Sequence, residues 1–331
     1  MSSKEGAQND LKIPLCVLIT GANSGCGYEC ARQLSLIDGV EKIYLACRSC
    51  EKAESAKKEL QNLTNKKKFE ILVLDVSNLE SVRNGVKQLK DEPVIDGIVL
   101  NAGGAGGVPP NGLTADGVTK SMAANVLGHV LLVDELIRTG KIRGMASTVL
   151  YAGSESARGI PAMFLKPPNL ESGSVEEFMS ICNGSFFTED EALNPKHLGS
   201  YAKFVGALWM SSMARKHPDI RFITISPGAT TGTNVRGDLP WYQRAFVGAL
   251  VNLQSLVGLA HSLEVGTKRY VDALLDHLNY QSGIFYGSKK GLSGEVCDQS
   301  VFLDYFANKK FQEHANEALH KFIKNEDQNE F

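Results

Sequence analysis

Residues 20–27 read Thr20-Gly21-Ala22-Asn23-Ser24-Gly25-Cys26-Gly27 and lie between an apolar run and an amphipathic stretch. Glycines at this spacing let a backbone turn sharply and come close to a pyrophosphate. A helix opening at the same point would offer free N–H groups and a positive dipole end to the phosphates. Gly21, Asn23, Ser24, Gly25, Cys26 and Gly27 are therefore expected to cradle a phosphate-bearing ligand. The spacing is GxxxGxG and departs from the GxGxxG form. Cys47 and Cys50 form a CxxC, but no second cysteine pair stands nearby to complete a tetrahedral zinc site. The seven histidines show no HExxH or comparable ligand spacing, so no metal is expected.

Such a loop needs a strand before it and a helix after it. Short apolar runs at residues 15–20, 42–47, 69–74, 95–100, 146–152, 220–226 and 283–287 predict seven strands. Amphipathic stretches at 25–36, 51–63, 79–89, 115–138 and 201–216 predict helices between them. Continuous apolar strands alternating with helices predict a mostly parallel, doubly wound α/β sheet covered on both faces, within a single domain. Residues 156–198 and 229–261 break the rhythm and are expected to be an insertion and a substrate lid at the carboxyl ends of the strands. Residues 301–331 read as a surface helix with a polar tail, and Lys66-Lys67-Lys68 as a solvated turn.

The 331 residues carry 35 Lys plus Arg against 37 Asp plus Glu, with 43% hydrophobic and 22% charged residues. That balance fits a folded chain and argues against a nucleic-acid binder. No run of about 18 apolar residues suggests a membrane span. Residues 1–10 lack the apolar core of a secretion signal, so the seven cysteines are expected as free thiols in a cytoplasmic compartment. A plastid location is open if the chain is a mature form.

Several motifs, in order and each at an expected strand end or on a helix, resemble the short-chain dehydrogenase/reductase family. The family's cofactor motif TGxxxGxG matches residues 20–27. Its adenine-contacting pair matches Asp75-Val76, and its NAG motif matches Asn101-Ala102-Gly103. Its helix asparagine matches Asn125, and the turn beside its nicotinamide matches Pro227-Gly228. The resemblance covers about residues 13–290 and implies a Rossmann-like fold, a nicotinamide cofactor and often a homodimer. A NAD-specific site would place a carboxylate at the end of the second strand. Arg48 stands there instead, and a guanidinium pairs well with a 2′-phosphate, so NADP(H) is expected.

Hydride transfer to a carbonyl needs a proton donor beside the developing alkoxide. The family uses a serine, a tyrosine and a lysine, the last two spaced four apart on one helix face. Ser154 matches the serine and Lys203 the lysine, with Lys203 also holding the nicotinamide ribose, while Asn125 supports a water relay. Gly199, however, stands four residues before Lys203, and Tyr201 only two before it. On a regular helix that sets Tyr201 and Lys203 about 200° apart. Three readings remain open. The helix could begin at or after Tyr201, so that an irregular entry brings its hydroxyl into the site. Tyr151, His197, Ser200 or a water held by Lys203 could donate instead. Or the fold could bind NADP(H) without turnover, as a scaffold or sensor.

The 49 positions from Ser154 to Lys203 are similar in length to the insertion of protochlorophyllide oxidoreductases. Gly153-Ser154, Pro167-Pro168-Asn169-Leu170, Thr230-Thr231-Gly232 and Ser282-Gly283 look like that branch. Retinol-dehydrogenase-like members share Ala46-Cys47-Arg48 and Gly128-His129. Either branch implies a small apolar substrate with a bulky carbonyl, alcohol or conjugated double bond. The apolar stripe from Trp241 to Leu259 reads as a packed helix, a lid over that substrate or a shallow membrane contact.

Overall fold

A computed structural model describes residues 13–104, 109, 111–142, 144, 147–161, 165–230, 261–276 and 278–323. Residues 231–260 of the lid expected over 229–261, and residues 324–331 of the polar tail, lie outside the described residues. Eight strands form one sheet: β1 (Cys16–Thr20), β2 (Lys42–Cys47), β3 (Phe69–Val73), β4 (Gly97–Leu100), β5 (Thr148–Ala152), β6 (Arg221–Ile225), β7 (Phe285–Lys290) and β8 (Ser293–Asp298). Their order is β3-β2-β1-β4-β5-β6-β7-β8, with every pair parallel except the antiparallel β7–β8 hairpin. The fold is thus Rossmann-like as expected, with a correction from seven strands to eight. Ser293-Gly294-Glu295-Val296-Cys297-Asp298 is polar and half-exposed. An edge strand paired on one side need not show an apolar run.

Both faces of the sheet are covered. On β1, Val17 and Ile19 point into one core with α1 (Gly25–Ser35), α2 (Cys50–Thr64) and part of the carboxyl-terminal half. Cys16 and Leu18 point into the other, with α3 (Leu79–Gln88) and residues 120–138. The latter stretch is α4 (Lys120–Met122), a π-helical turn (Ala123–Leu127) and α5 (Gly128–Arg138).

The expected insertion is more ordered than its composition suggests. It holds α6 (Val175–Asn183), α7 (Glu189–Ala192) and the start of α8 (Pro195–Lys216). Ser174 caps α6 by accepting from the Glu177 N–H, and the Glu177 carboxylate accepts the N–H groups of Glu171, Ser172 and Gly173. The helix expected from residue 201 begins six residues earlier, where Asn194 caps it and Pro195 opens it. After β6 come α9 (Leu263–Leu274) and α10 (Lys309–His320). The carboxyl-terminal helix is not merely superficial: Ala315, Ala318 and Leu319 are fully buried against the core shared with α6 and α8.

Candidate active site

The sheet order reverses between β1 and β4, and the loops that follow these two strands meet there, at the point where α/β sheets open a crevice. Thr20 ties them together. Its hydroxyl accepts from the N–H groups of Asn101 and Ala102, each at 2.9 Å, and the Asn101 side-chain amide donates to the Thr20 carbonyl at 3.0 Å. The glycine loop fits a pyrophosphate by its backbone. Gly21 has φ +66°, and α1 starts behind Ser24, whose side chain makes no capping bond. The first turn of α1 carries no acidic residue, so its N–H groups and dipole remain free for an anion. A Cβ on Gly27 would lie 2.5 Å from the Gly21 carbonyl oxygen and 2.6 Å from the Asn101 amide, so that turn closes only around glycine. Cys26 is buried here, its Sγ 4.0 Å from the Thr230 hydroxyl, and Asn23 and Gly25 are partly exposed on the rim.

The other expected cofactor contacts surround the same edge. Arg48 is exposed just past β2, with no salt bridge among the described residues, and Ser49 behind it caps α2. The Asp75 carboxylate holds the turn before α3 by accepting from the Ser77 N–H and hydroxyl, and Val76 is buried beside it. Gly103 lies against the Asn125 side chain and Lys203. Past β6, Gly228 has φ +75°, and its N–H donates to the Ser226 hydroxyl, which orients Pro227 and Gly228 over the sheet end.

Asn125 sits in the π-helical turn. Its side chain accepts from the Gly104 N–H and donates to the carbonyls of Gly104 and Ser121. Its main-chain carbonyl accepts the Tyr151 hydroxyl at 3.0 Å and lies 3.2 Å from His129 Nδ1. With Nδ1 as donor, His129 Nε2 accepts from Thr20, 3.0 Å away. Burial and the nearby Lys203 charge push the His129 pKa down to about 3, so this imidazole is a neutral strut linking the glycine loop to Asn125.

Ser154 stands just past the end of β5, partly exposed. Its hydroxyl accepts from the Ser156 N–H and hydroxyl at 3.2 and 2.9 Å, which leaves its own proton free to donate to a carbonyl. Lys203 reaches the same region from α8. Its Nζ lies 4.8 Å from the centroid of the Tyr151 ring and near Gly103, and burial alone lowers its pKa to about 8. The Tyr151 ring fits against α8 because residue 206 is glycine; a Cβ there would sit 2.5 Å from the Tyr151 hydroxyl.

Tyr201 is not brought to this group. It lies well inside regular helix, which removes the irregular entry considered from sequence. Its ring packs on Phe186, Phe187 and His197 at centroid distances of 5.0–5.5 Å, and its hydroxyl accepts from the Asn169 N–H. Of the other donors considered, Tyr151 is fully buried and donates to Asn125, Ser200 donates to the Lys196 carbonyl at 2.7 Å, and His197 stacks in the Tyr201 cluster.

Sequence reasoning passed over a buried ionic cluster directly behind Ser154. Glu155 accepts from the Ser226 hydroxyl at 2.5 Å and the Ser288 N–H at 2.8 Å, with Arg269 at 3.8 Å. Arg269 also donates to the Ser226 and Gly294 carbonyls and to the Ser288 hydroxyl, and its Nη2 lies 2.9 Å from His261 Nε2. The cluster fastens the ends of β5 and β6 to the β7–β8 hairpin and to α9. No local pattern marks it, because Glu155 stands 71 and 133 positions from its hydrogen-bond partners Ser226 and Ser288.

Residues 15–160 match the family model for short chain dehydrogenases. Human retinol dehydrogenase 11 is 37% identical over 122 residues, 37% of this chain and 37% of that protein. Bovine retinol dehydrogenase 12 is 38% identical, again over 122 residues and 37% of each chain. The matches thus span little more than a third of these relatives' length. Among solved structures, L-sorbose reductase from Gluconobacter frateurii, complexed with NADPH and L-sorbose, superimposes with TM-score 0.61 at 16% identity, covering 86% of this chain and 98% of that one. Salutaridine reductase from Papaver somniferum gives TM-score 0.59 at 18% identity, covering 82% and 99%.

Proposed function

We propose that the chain, whose residues 15–160 match the family model for short chain dehydrogenases, is a short-chain dehydrogenase/reductase and an NADP(H)-dependent oxidoreductase for a bulky apolar carbonyl, its alcohol or a conjugated double bond. The observation that supports this reading is the β1/β4 switch, where an acid-free helix start and the Gly27 turn lie at the edge that also holds Gly103, with Lys203 beside it. The cofactor, when bound, supplies or accepts a hydride. The first turn of α1 would hold its pyrophosphate, and Arg48 its 2′-phosphate. Asp75 and Val76 would border the adenine, Asn101, Ala102 and Gly103 the adjoining ribose, and Pro227 and Gly228 the nicotinamide. Lys203 would hold the nicotinamide ribose, Ser154 would donate to the substrate oxygen, and Asn125 would brace the loop holding Gly103 and Gly104.

The names of the relatives favour a polyene alcohol or aldehyde, as in the retinol dehydrogenases, over a tetrapyrrole. One specific observation supports a second reading, in which the protein binds NADP(H) without turnover: the Tyr201 hydroxyl lies in the aromatic cluster and Gly199 occupies the family's tyrosine position. The test is to mix full-length protein with NADPH and a panel of retinals, steroid ketones, quinones and protochlorophyllide. Loss of the reduced-nicotinamide absorbance with at least one member is expected. Binding of NADPH with no oxidation by any member would return the scaffold reading. Arg48→Ala is expected to weaken NADPH about 10- to 100-fold, from the loss of hydrogen bonds between charged groups, with little change for NADH.

A further inference from the structure

Position 199 lies one helical turn before Lys203, on the same face of α8. A Cβ built on Gly199 meets no atom within 4 Å, whereas the nearby Gly206 has no room for one. On the face of α8 that carries Lys203, a side chain at position 199 would therefore set out into open space. The neighbouring hydroxyls and imidazoles are engaged elsewhere. Tyr201 is held by the Asn169 N–H, Ser200 by Lys196, Tyr151 by Asn125, and His129 by Thr20 and Asn125. Lys203 Nζ itself makes no salt bridge or hydrogen bond among the described residues; its recorded contact is the face of the Tyr151 ring.

We infer that Lys203 is the proton donor of this site, working directly across the gap left by Gly199, and that the substrate fills the volume a phenol would otherwise occupy. This rests on the reductase reading above. In reduction, the carbonyl carbon gains the hydride that NADPH gives up, the carbonyl oxygen gains a proton from Nζ, and neutral Lys203 recovers a proton from solvent. Ser154 donates to the same oxygen and orients it. In the oxidation direction, neutral Lys203 takes the alcohol proton instead.

Among the described residues, the titratable groups facing Nζ are Tyr151 from β5 and His129 from α5, and no carboxylate is close enough to hold its charge. Burial therefore makes the ammonium a better acid than an ordinary lysine, with a midpoint near the pH at which it must work. The predicted sign is definite. Reduction needs the ammonium, so kcat/KM falls as pH rises through about 8, and oxidation rises through the same point.

The test has a readout that needs no turnover. Competitive acetylation at graded pH, read by mass spectrometry on the full chain, gives the Lys203 midpoint beside those of the surface lysines. A midpoint well below the surface set is expected, whereas a midpoint among them would overturn the inference. Lys203→Arg keeps a cation but cannot release it near neutral pH. It is expected to weaken NADPH by no more than a lost ribose contact, about tenfold, while losing about 100-fold or more in kcat, the scale of positioned acid catalysis. Gly199→Tyr is expected to move the alkaline limb of the reduction profile, because a phenol then competes as donor. An arginine variant that turns over normally, or an alkaline limb unmoved by Gly199→Tyr, would refute Lys203 as donor and leave the reductase reading intact. A parent that oxidises no NADPH with any member of the panel would fell that reading first, and this inference with it.

Discussion

The edge of the site built by β1, β2 and β4 and the edge built by β5, α8 and the residues between them follow different rules. At the first edge the contacts are mostly backbone: free N–H groups at α1, glycine turns, and a threonine hydroxyl stitching two loops. At the second edge they are side chains whose roles depend on where a helix begins and which way it turns. Backbone geometry survives wide changes in side chains, so the first edge keeps its pattern. The second is open to redistribution, and here it is redistributed: Tyr201 joins an aromatic cluster, Tyr151 takes the Asn125 carbonyl, and the turn of α8 before Lys203 carries a glycine with open space at its Cβ.

The comparison breaks most sharply at Gly27. Gly27→Val places carbon against the Gly21 carbonyl and the Asn101 amide. Relief of such overpacking costs about 1–3 kcal/mol or more, and the displaced loop no longer fits a pyrophosphate. NADPH affinity measured by calorimetry is expected to fall about 100-fold or beyond, on the scale of 1.4 kcal/mol per tenfold. Unchanged affinity would mean that the turn is not the binding element.

The cluster behind Ser154 tests the second edge. Glu155→Gln leaves the buried Arg269 guanidinium without its countercharge. Removing one member of a buried pair costs about 3–5 kcal/mol. Urea unfolding is expected to show a loss of that order, together with a weaker effect on NADPH binding than the Gly27 change. A variant as stable as the parent would show that the cluster does not brace the strand ends.

The smallest effect is expected far from both edges. His320 on α10 pairs with Asp134 on α5 at 2.9 Å. Burial alone would lower its pKa, but the Asp134 hydrogen bond and charge outweigh it, and the net shift is upward. The folded-state pKa then exceeds the unfolded value of about 6.5. The stabilisation is fully present below that value and fades as pH rises through the raised one. With both partners substantially exposed, its size is about 0.5 kcal/mol after screening. Denaturation at pH 6 and pH 9 is expected to show this difference in the parent and not in His320→Gln; an equal difference in both would assign the pH effect elsewhere.

Most of the frame was readable from the chain, because six strands lie in apolar runs and the loop glycines are fixed by backbone need; β7 starts in the run expected at 283–287 but extends through Ser288-Lys289-Lys290. What escaped did so for physical reasons. Strand β8 is a polar edge held by a hairpin, so burial leaves little pattern in it. The early start of α8 was signalled by Asn194-Pro195, and the existence of α6 by Ser174 with Glu177, cues masked by the Gly, Ser and Pro content around them. The Glu155–Arg269 cluster joins residues that only the finished sheet brings together. The placement of Tyr201 was half legible: its spacing to Lys203 excluded a shared face, but the aromatic partners that hold it could be found only in three dimensions.

The most direct test of the central claim, that the opening of α1 and its neighbouring loops form a dinucleotide site biased by Arg48, is a calorimetric titration of the full chain with NADPH and with NADH. Saturable heat with NADPH and at least tenfold weaker binding of NADH, about 1.4 kcal/mol apart, is the predicted result. No heat with either nucleotide, or a preference for NADH, would contradict it.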